Sequence, residues 1–415
     1  MTIPFSLPLI DADVIAEVND TLVNTGWLTT GPKVRLLEAE IGKLTGTPVL
    51  CVNSWTSGAM LMLRWFGIGP GDEVIIPAYT YAATALCAMN IGATVVMVDV
   101  LDDFTLDPSK LRSAITPNTK AIIPVDMGGW PADYDAIRAV LQAEDVRDQF
   151  TANTERQAKL GRILVVSDAA HSIGSTYKGK PNGQQADTTV FSLHSVKNVT
   201  TGEGGAICLN LPAPFDNDEE YTFLRAFSLN GQNKSAFEKN QTGAWRYDII
   251  DQGLKVNMPD LGAAVGLAQM RKYPNELLPE RKRIFARYQA AFGKTEWAIL
   301  PPDSDDTRES SCHLYLLRID GADEARRDEI IARISAAGVG VNVHYIPMPM
   351  LTLFRTRGYA MPDYPNTWRL YENEITLPLY NGLTDEQVDE VIRVVTEAVD
   401  AIVSAPVNAR AEGTA

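Results

Sequence analysis

Two side chains of this sequence, Asp168 and Lys197, stand where they could carry covalent chemistry. Asp168 directly follows an apolar run at 163–167, and Lys197 follows a second run at 188–192 and precedes a glycine-rich turn. A lysine beside a glycine turn is commonly a solvated surface residue, so the other residues predicted near it decide whether it is functional. A lysine amine with a lowered pKa can form a Schiff base with an aldehyde, and a carboxylate can keep a pyridine nitrogen protonated. The pair is therefore a candidate site for pyridoxal phosphate.

The phosphate of such a cofactor needs donors that do not depend on net positive charge, and hydroxyl groups at a helix start provide them. The candidates are Ser54, Thr56, Ser57 and Ser192. A helix N-cap explains the first three equally well, and the two functions are compatible because a capping turn is also an anion site. An aromatic face should cover the ring. Tyr79 and Tyr81 follow a predicted strand, and either of them could instead be a core residue.

The elements that must position these residues alternate along the chain. Short β-branched runs are separated by helix-length stretches such as 57–66 and 81–91. The predicted strands are 48–52, 73–77, 93–99, 120–125, 163–167, 188–192 and 205–209. This alternation predicts an α/β fold with a mainly parallel sheet, helices on both faces and a ligand site at the C-terminal strand ends. A polar, helix-like stretch at 139–161 interrupts the pattern as a surface excursion.

The composition changes after a charged helix predicted at 277–292 and a polar loop at 301–309. The elements predicted beyond this loop are a strand at 313–319, a helix at 323–338, a strand at 339–345 and a helix at 385–403. We therefore predict a large domain at 1–280 with an N-terminal arm, a smaller α+β domain at 281–405, and a flexible tail at 406–415.

The overall composition argues against several functions. The 415 residues carry a formal net charge of −15, which disfavours binding to nucleic acid or to an anionic membrane. The sequence has neither a secretory leader nor an apolar run long enough to span a membrane, and this predicts a cytoplasmic protein. The four cysteines lie far apart without metal-ligand spacing, so we expect buried free thiols and no metal site.

A set of segments follows a fixed order from about residue 8 to residue 402. They are GPGDEVIIPAYTYAAT, TKAIIPVDMGGWPAD, SDAAHSIGSTYKGK, SLHSVKNVTTGEGGAI, GLKVNMPDLGAAVGLAQMRKY and ITLPLYNGLTDEQVDEVI. In this order they resemble the DegT/DnrJ/StrS family of sugar aminotransferases. The resemblance implies the type I (aspartate-aminotransferase-like) fold of pyridoxal-phosphate-dependent transferases. It also implies L-glutamate as the amino donor, a nucleotide-linked keto sugar as the acceptor, and a homodimer whose active sites are shared between two chains.

The resemblance further assigns individual residues. Lys197 would be the lysine that binds the cofactor aldehyde, Asp168 the partner of the pyridinium nitrogen, and His171 a neighbour of the ring hydroxyl. Tyr81 would stack on the ring. The phosphate pocket would comprise Thr56, Ser57 and Ser192 of one chain and Asn257 of the neighbouring chain. Candidate substrate contacts are His194, which could instead brace its loop, and His344 and Tyr345, which could instead be packing residues.

Departures from the family pattern indicate which branch of the family, and therefore which acceptor sugar, the sequence favours. Trp55 replaces a small residue in the phosphate turn, Asn230 stands where many members have histidine, and GLKVN replaces GyNyR. With DAAHS and SLHSVKN, this favours the branch that acts on 4-keto sugars. We expect amination at C4 of a nucleotide-linked 4-keto-6-deoxy sugar for surface polysaccharide or a related glycan. A 3-keto sugar or keto-inositol is the alternative acceptor.

Other classes of protein fit the residues less well. Dehydratases that resemble this family carry histidine in place of the lysine, which Lys197 argues against. A regulatory protein that kept the fold would not need the set of lysine, aspartate and hydroxyl residues. A nicotinamide-dependent oxidoreductase is disfavoured because no GxGxxG follows the first predicted strand.

Overall fold

The computed structural model describes residues 2–240, 242–243 and 245–403. The tail predicted at 406–415 lies outside the described residues, as do the last positions of the predicted small domain. All four cysteines are buried and free. Among the described helices, none combines the length and apolar character that a membrane span requires.

The central feature of the fold is a seven-stranded sheet with the order β1-β9-β8-β5-β4-β2-β3. Its strands are β1 Val49–Val52, β2 Glu73–Pro77, β3 Thr94–Val98, β4 Thr119–Ile122, β5 Leu164–Asp168, β8 Thr188–Ser192 and β9 Gly205–Leu209. Strand β9 runs antiparallel to both of its neighbours, and the other pairings are parallel. The sheet is thus mainly parallel, and every predicted strand of this region forms.

Helices cover both faces of the sheet because successive strand residues point to opposite sides. In β1, Leu50 and Val52 join a core with residues of helix α3 (Trp55–Trp65), whereas Val49 and Cys51 join a different core with residues of α2 (Pro32–Thr45). A strand buried on both faces reads as a continuous apolar run, which is why the sequence pattern located these strands.

The helices follow the strands in chain order. The first half of the chain forms α1 Ala12–Asp20, α2, α3, α4 Ala83–Met89, α5 Leu111–Ala114, α6 Tyr134–Gln142, α7 Glu144–Arg147 and α8 Glu155–Leu160. The second half forms α9 Asn217–Phe227, α10 Ala236–Lys239, α11 Asp260–Lys272, α12 Leu278–Phe292, α13 Glu324–Ala336, α14 Thr352–Arg355, α15 Pro365–Tyr371 and α16 Asp385–Val403. The polar excursion at 139–161 consists of the end of α6 together with α7 and α8.

A second sheet lies in the C-terminal part and has the order β10-β12-β13. Its strands are β10 Ala298–Ile299, β12 Tyr315–Ile319 and β13 Glu374–Leu377. They form one hydrophobic core with buried residues of α12, α13 and α16. A small third sheet joins β11 Arg308–Glu309 to the hairpin of β6 Thr176–Tyr177 and β7 Lys180–Pro181. The division of the chain at residue 280 stays a prediction.

The strand predicted at 339–345 was wrong. This segment makes only single bridges, from Val339 to Ile3 and from Asn342 to Thr376. The backbone of Ile3 instead bonds to the Gly338 carbonyl and the Gly340 N–H, so the N-terminal arm occupies the hydrogen bonds that a neighbouring strand would use. The strands that pair with β12 are β10 and β13, and β13 lies within the segment EITLPLYNGL.

Candidate active site

One cavity of about 450 Å³ opens at the C-terminal ends of the parallel strands. It is lined by residues that follow β2, end β5 and end β8, as expected for an α/β sheet. Of the predicted site residues, those that line this cavity are Thr56, Tyr81, Asp168, His171, Ser192, His194, Lys197, His344 and Tyr345. Ser57 and Asn257 are not among its lining residues. Segments far apart in sequence are thereby brought to one place.

Asp168 is the last residue of β5 and is almost completely buried at the cavity. Its carboxylate accepts hydrogen bonds from the Thr84 hydroxyl at 2.8 Å and from the Ala170 N–H at 3.2 Å. Burial raises the pKa of Asp168 to about 7, against the lowering effect of these two donors. A cationic group placed against this carboxylate would therefore stabilise its charged form.

Lys197 lies in the loop between β8 and β9, where its backbone N–H donates to the His194 carbonyl at 2.9 Å. Within the described part of the chain, its amine makes no hydrogen bond. Burial lowers the pKa of Lys197 to about 8, and the nearby Asp168 carboxyl opposes this effect. A larger fraction of the amine is thus neutral near physiological pH, which is the nucleophilic form.

The N-terminus of α3 forms a second wall of the cavity. Ser54 is the N-cap, and its Oγ accepts from the Ser57 N–H at 3.1 Å and donates to the Ser57 Oγ at 2.9 Å. Ser54, Trp55 and Thr56 all line the cavity, and the indole N–H of Trp55 is buried without a hydrogen-bond partner in the described structure. Helix amides and hydroxyls at this helix start fit an anionic ligand group.

Trp55, the departure from the family pattern, is accommodated because its ring joins the apolar core beneath α3. The helix start also packs tightly on β9. A Cβ at Gly205 would lie 2.7 Å from the backbone of Ser54. The glycine-rich turn after Lys197 therefore includes a residue whose missing side chain allows α3 to approach the sheet.

His171 lies at the cavity wall and is buried. Its Nδ1 accepts the N–H of Gly128 at 3.2 Å, which assigns the ring proton to Nε2, 3.1 Å from the Tyr345 hydroxyl. Burial, with a smaller effect of the nearby Lys197, holds the pKa of His171 well below its usual range. His313 also lines the cavity, with its ring centre 4.4 Å from that of His171.

The mouth of the cavity is aromatic. Tyr81 is 62% exposed, and its ring centre lies 5.6 Å from that of Tyr345. Tyr81 lies outside α4, which begins at Ala83 rather than at the predicted residue 81. His194 is half-exposed, and its Nε2 lies 3.6 Å from Glu203. An exposed aromatic ring at a cavity entrance can cover a planar ligand.

Known proteins are similar to this chain along most of its length. A sequence model of the DegT/DnrJ/EryC1/StrS aminotransferase family matches residues 8–147 and 152–396. The chain belongs to this family. It is 38% identical, over 96% of its length and 97% of the relative's, to the spore coat polysaccharide biosynthesis protein SpsC from Bacillus subtilis.

Solved structures of the family have the same fold. The chain is similar to Spr1654 from Streptococcus pneumoniae, which is assigned as a sugar aminotransferase. With the PMP form it shares 44% identity and a TM-score of 0.92, covering 96% of this chain and all of that one. With the PLP form the values are 43% and 0.91, covering 97% and 100%. The chain therefore has the type I fold of this aminotransferase family.

Several residues at the site of this family member were not predicted from the sequence. Thr84 binds the Asp168 carboxylate, and Phe5 and Ser6 line the cavity. Thr84 could have been found, because it lies three residues after Tyr81 within YTYAAT. Phe5 carries no local signal, since the pairing of Ile3 with Val339 brings it to the cavity.

Asn257 does not lie at the cavity that the other predicted site residues line. Its side-chain amide donates to the Thr30 hydroxyl at 2.6 Å, and its backbone forms a bridge with Val52. It thus lies apart from the cavity of its own chain. Its predicted role in the cavity of a second chain stays a prediction.

Proposed function

We propose that this chain moves an amino group from L-glutamate to C4 of a nucleotide-linked 4-keto-6-deoxy sugar, for surface polysaccharide or a related glycan. As a family member it is a sugar aminotransferase that depends on pyridoxal phosphate. The observation that carries the proposal is the meeting of Lys197 and Asp168 in one buried cavity beside the N-terminus of α3.

The residues present fit the cofactor. Asp168 would face the pyridine nitrogen and Lys197 the aldehyde, while Tyr81 would cover the ring and His171 would lie near the ring hydroxyl. The phosphate would lie against Thr56, Ser192 and the turn that Ser54 and Ser57 build at the start of α3. When bound, the cofactor supplies an electron sink for the negative charge that develops at the reacting carbon.

The chain's own groups move the protons. The Lys197 amine would take a proton from Cα of glutamate and return it to the C4′ carbon, and it would reverse this transfer when the keto sugar is aminated. Its lowered pKa of about 8 keeps both protonation states accessible near neutral pH. Asp168 would keep the ring nitrogen protonated in both halves of the reaction, because the ring nitrogen supplies the cation that the buried carboxylate lacks.

The acceptor is supported by sequence and by relatives. The segments DAAHS, SLHSVKN and GLKVN favour the branch that acts on 4-keto sugars. SpsC takes part in spore coat polysaccharide biosynthesis, and Spr1654 is assigned as a sugar aminotransferase. A UDP-linked sugar is the first candidate, and dTDP- or GDP-linked sugars are the next.

The test is a single-turnover assay of the acceptor. The protein loaded with pyridoxamine phosphate is mixed with a panel of nucleotide keto sugars, and return of the pyridoxal-phosphate absorption band identifies the acceptor. We expect 4-keto-6-deoxy sugars to react. Reaction with 3-keto sugars or keto-inositol alone would overturn the proposed regiochemistry.

Lys197→Ala tests the central assignment. Borohydride reduction of the wild-type protein should fix the cofactor on the peptide that contains Lys197, as read by mass spectrometry. Lys197→Ala should give no adduct and lose at least ~10³-fold in turnover, because the amine both holds the cofactor and moves the proton. Lys43→Ala is the matched control, since this exposed lysine pairs with Glu40 on α2 and does not line the cavity.

A further inference from the structure

A closed loop of hydrogen bonds connects the cavity with a buried carboxyl group. His344 lines the cavity, and its Nδ1 lies 3.0 Å from the Thr376 hydroxyl. That hydroxyl lies 2.5 Å from Oε1 of Glu374, and Oε2 of Glu374 accepts the backbone N–H of His344 at 3.0 Å. The ring and the backbone of His344 are therefore both tied to the same carboxyl group.

Glu374 begins β13 and is completely buried. Burial raises its pKa to about 8, against the lowering effects of Thr376, the His344 N–H and the charge of Arg327. The groups that face Glu374 are Arg318 across the strand pair, Arg327 from α13, Tyr79, His344 and Tyr345. The described structure shows no ion pair to its carboxyl, so Glu374 can change its protonation state near neutral pH.

His344 stays neutral in this range. Burial, with a smaller effect of Lys197, lowers its pKa to about 3. The ring is fixed by stacking on Phe5, with ring centres 5.5 Å apart. A neutral imidazole carries its proton on either nitrogen, and the hydrogen bond at one nitrogen determines the state of the other.

The state of Glu374 determines this choice. When Glu374 is ionised, Thr376 donates to it, so Nδ1 of His344 must donate to Thr376 and Nε2 becomes an acceptor. When Glu374 is protonated at Oε1, it donates to Thr376, Thr376 donates to Nδ1, and Nε2 carries the proton. Both states keep every member of the network paired.

We propose that Glu374, Thr376 and His344 form a proton relay that lets Nε2 of His344 donate a proton to the substrate in the cavity. On the proposed function, the carbonyl oxygen of the keto sugar leaves as water and needs such a donor. The Nε2 proton goes to that oxygen, the Thr376 proton to Nδ1 and the Glu374 proton to Thr376. Glu374 is left as the anion, and no electrons are exchanged with an oxidant or reductant.

The relay can be tested without measuring activity. The chain has only four histidines, so ¹⁵N labelling of histidine in the loaded protein gives a simple spectrum, and His344→Gln identifies the signals of residue 344. From pH 6.5 to 9.5, the protonated nitrogen of His344 should change from Nε2 to Nδ1. A tautomer that does not respond to pH would overturn the relay.

Two variants interrupt the relay at different points. Thr376→Val removes the bridging hydroxyl, and Glu374→Gln should fix the proton on Nε2 because its amide donates at every pH. The His344 tautomer should be independent of pH in both, whereas Thr376→Ser should keep the pH response. If Thr376→Val responds like the wild type, titration of another group such as Lys197 causes the change and the relay is wrong.

His313 provides an internal control. Its Nδ1 lies 2.8 Å from Oδ1 of the Asn198 side chain, an oxygen that only accepts, so its proton should stay on Nδ1 throughout. In the activity assay, Thr376→Val should slow transfer to the keto sugar at least ~10-fold, and Thr376→Ser should keep most of the wild-type rate. A Thr376→Ser variant that is as slow as Thr376→Val would overturn this use of the relay. If no keto sugar reacts with the wild type, the proposed function fails and the relay is still decided by the NMR result.

Discussion

Asp168 and Lys197 are held in an environment that disfavours both of their charges. Burial raises the pKa of one to about 7 and lowers that of the other to about 8, so each is shifted toward neutrality. Groups with opposed shifts in one cavity are typical of functional sites. The protonated ring nitrogen of the cofactor would offset the cost of burying the Asp168 charge, and its aldehyde would offset the cost of burying the Lys197 charge.

This environment predicts how stability depends on pH. Between about pH 4 and pH 7 the folded chain without cofactor keeps a proton on Asp168 that the unfolded chain has lost. Its stability therefore falls as pH rises through this window, by on the order of 4 kcal/mol at most from this group. Asp168→Asn removes the effect, because an amide carries no charge to bury.

Chemical denaturation of the cofactor-free proteins checks this prediction. The free energy of unfolding of Asp168→Asn, minus that of the wild type, should be larger at pH 8 than at pH 4.5. With saturating cofactor at pH 8, the wild type should instead be the more stable of the two proteins, since only the wild type offers a carboxylate to the ring nitrogen. A difference that is the same at both pH values would show that Asp168 is not desolvated.

At the scale of elements, the contact between α3 and β9 positions the phosphate wall. A Cβ at Gly205 would lie 2.7 Å from the Ser54 backbone and 2.8 Å from that of Trp55, and neither backbone is free to move. Gly205→Ala should destabilise the protein by about 1–3 kcal/mol and weaken cofactor binding at least ~10-fold, because the helix start shifts. Thermal unfolding and a cofactor titration measure the two effects.

Gly69→Ala is the matched control for this substitution. A Cβ there meets only the Ile91 carbonyl oxygen at 3.9 Å, which is ordinary contact. It should leave cofactor binding unchanged. If Gly205→Ala binds the cofactor as tightly as Gly69→Ala, the approach of α3 to β9 does not position the phosphate wall.

Elements also show what sequence can predict. The strands Glu73–Pro77, Thr188–Ser192 and Gly205–Leu209 were located to the residue, because apolar runs between turn residues are typical of strands buried on both faces. The segment 339–345 has a similar pattern, yet the N-terminal arm takes its hydrogen bonds at Gly338 and Gly340. Competition of this kind is a tertiary effect that a local pattern does not contain.

At the site, too, local patterns predict some residues, whereas tertiary packing alone places others. Asp168, Lys197 and Ser192 end or follow strands, so their convergence follows from the order of strands in a parallel sheet. Phe5 reaches the cavity from a distant part of the chain. Glu374 does not line the cavity, and it binds the backbone N–H of His344, which does. Phe5 has no neighbouring motif, and the segment ITLPLYNGLTDEQVDEVI, which begins one residue after Glu374, does not indicate where this carboxyl group lies. Only the packing of the N-terminal arm and of β13 brings the two residues there.

At the scale of the whole molecule, the described surface has apolar residues that one chain leaves exposed. Ile15 and Val23 near the N-terminus are 62% and 70% exposed, and Trp245 is 69% exposed. Asn257, predicted to complete a neighbouring phosphate pocket, points to Thr30 rather than to its own cavity. The homodimer predicted from the resemblance, in which each site needs both chains, stays a prediction, and its interface would cover apolar residues of this kind.

Mixing Lys197→Ala with Asn257→Ala, which should each lose activity because each lacks one predicted cofactor-binding side chain, decides whether Asn257 acts across that interface. In a heterodimer of Lys197→Ala and Asn257→Ala, the site built on the intact Lys197 receives the intact Asn257 of the other chain, so it has the wild-type composition. The second site carries both substitutions. Statistical reassembly of equal amounts should therefore restore about one quarter of the wild-type activity, since half of the dimers are mixed and each has one intact site. If Asn257 acts within its own chain, both sites of every mixed dimer lack one residue and no activity returns.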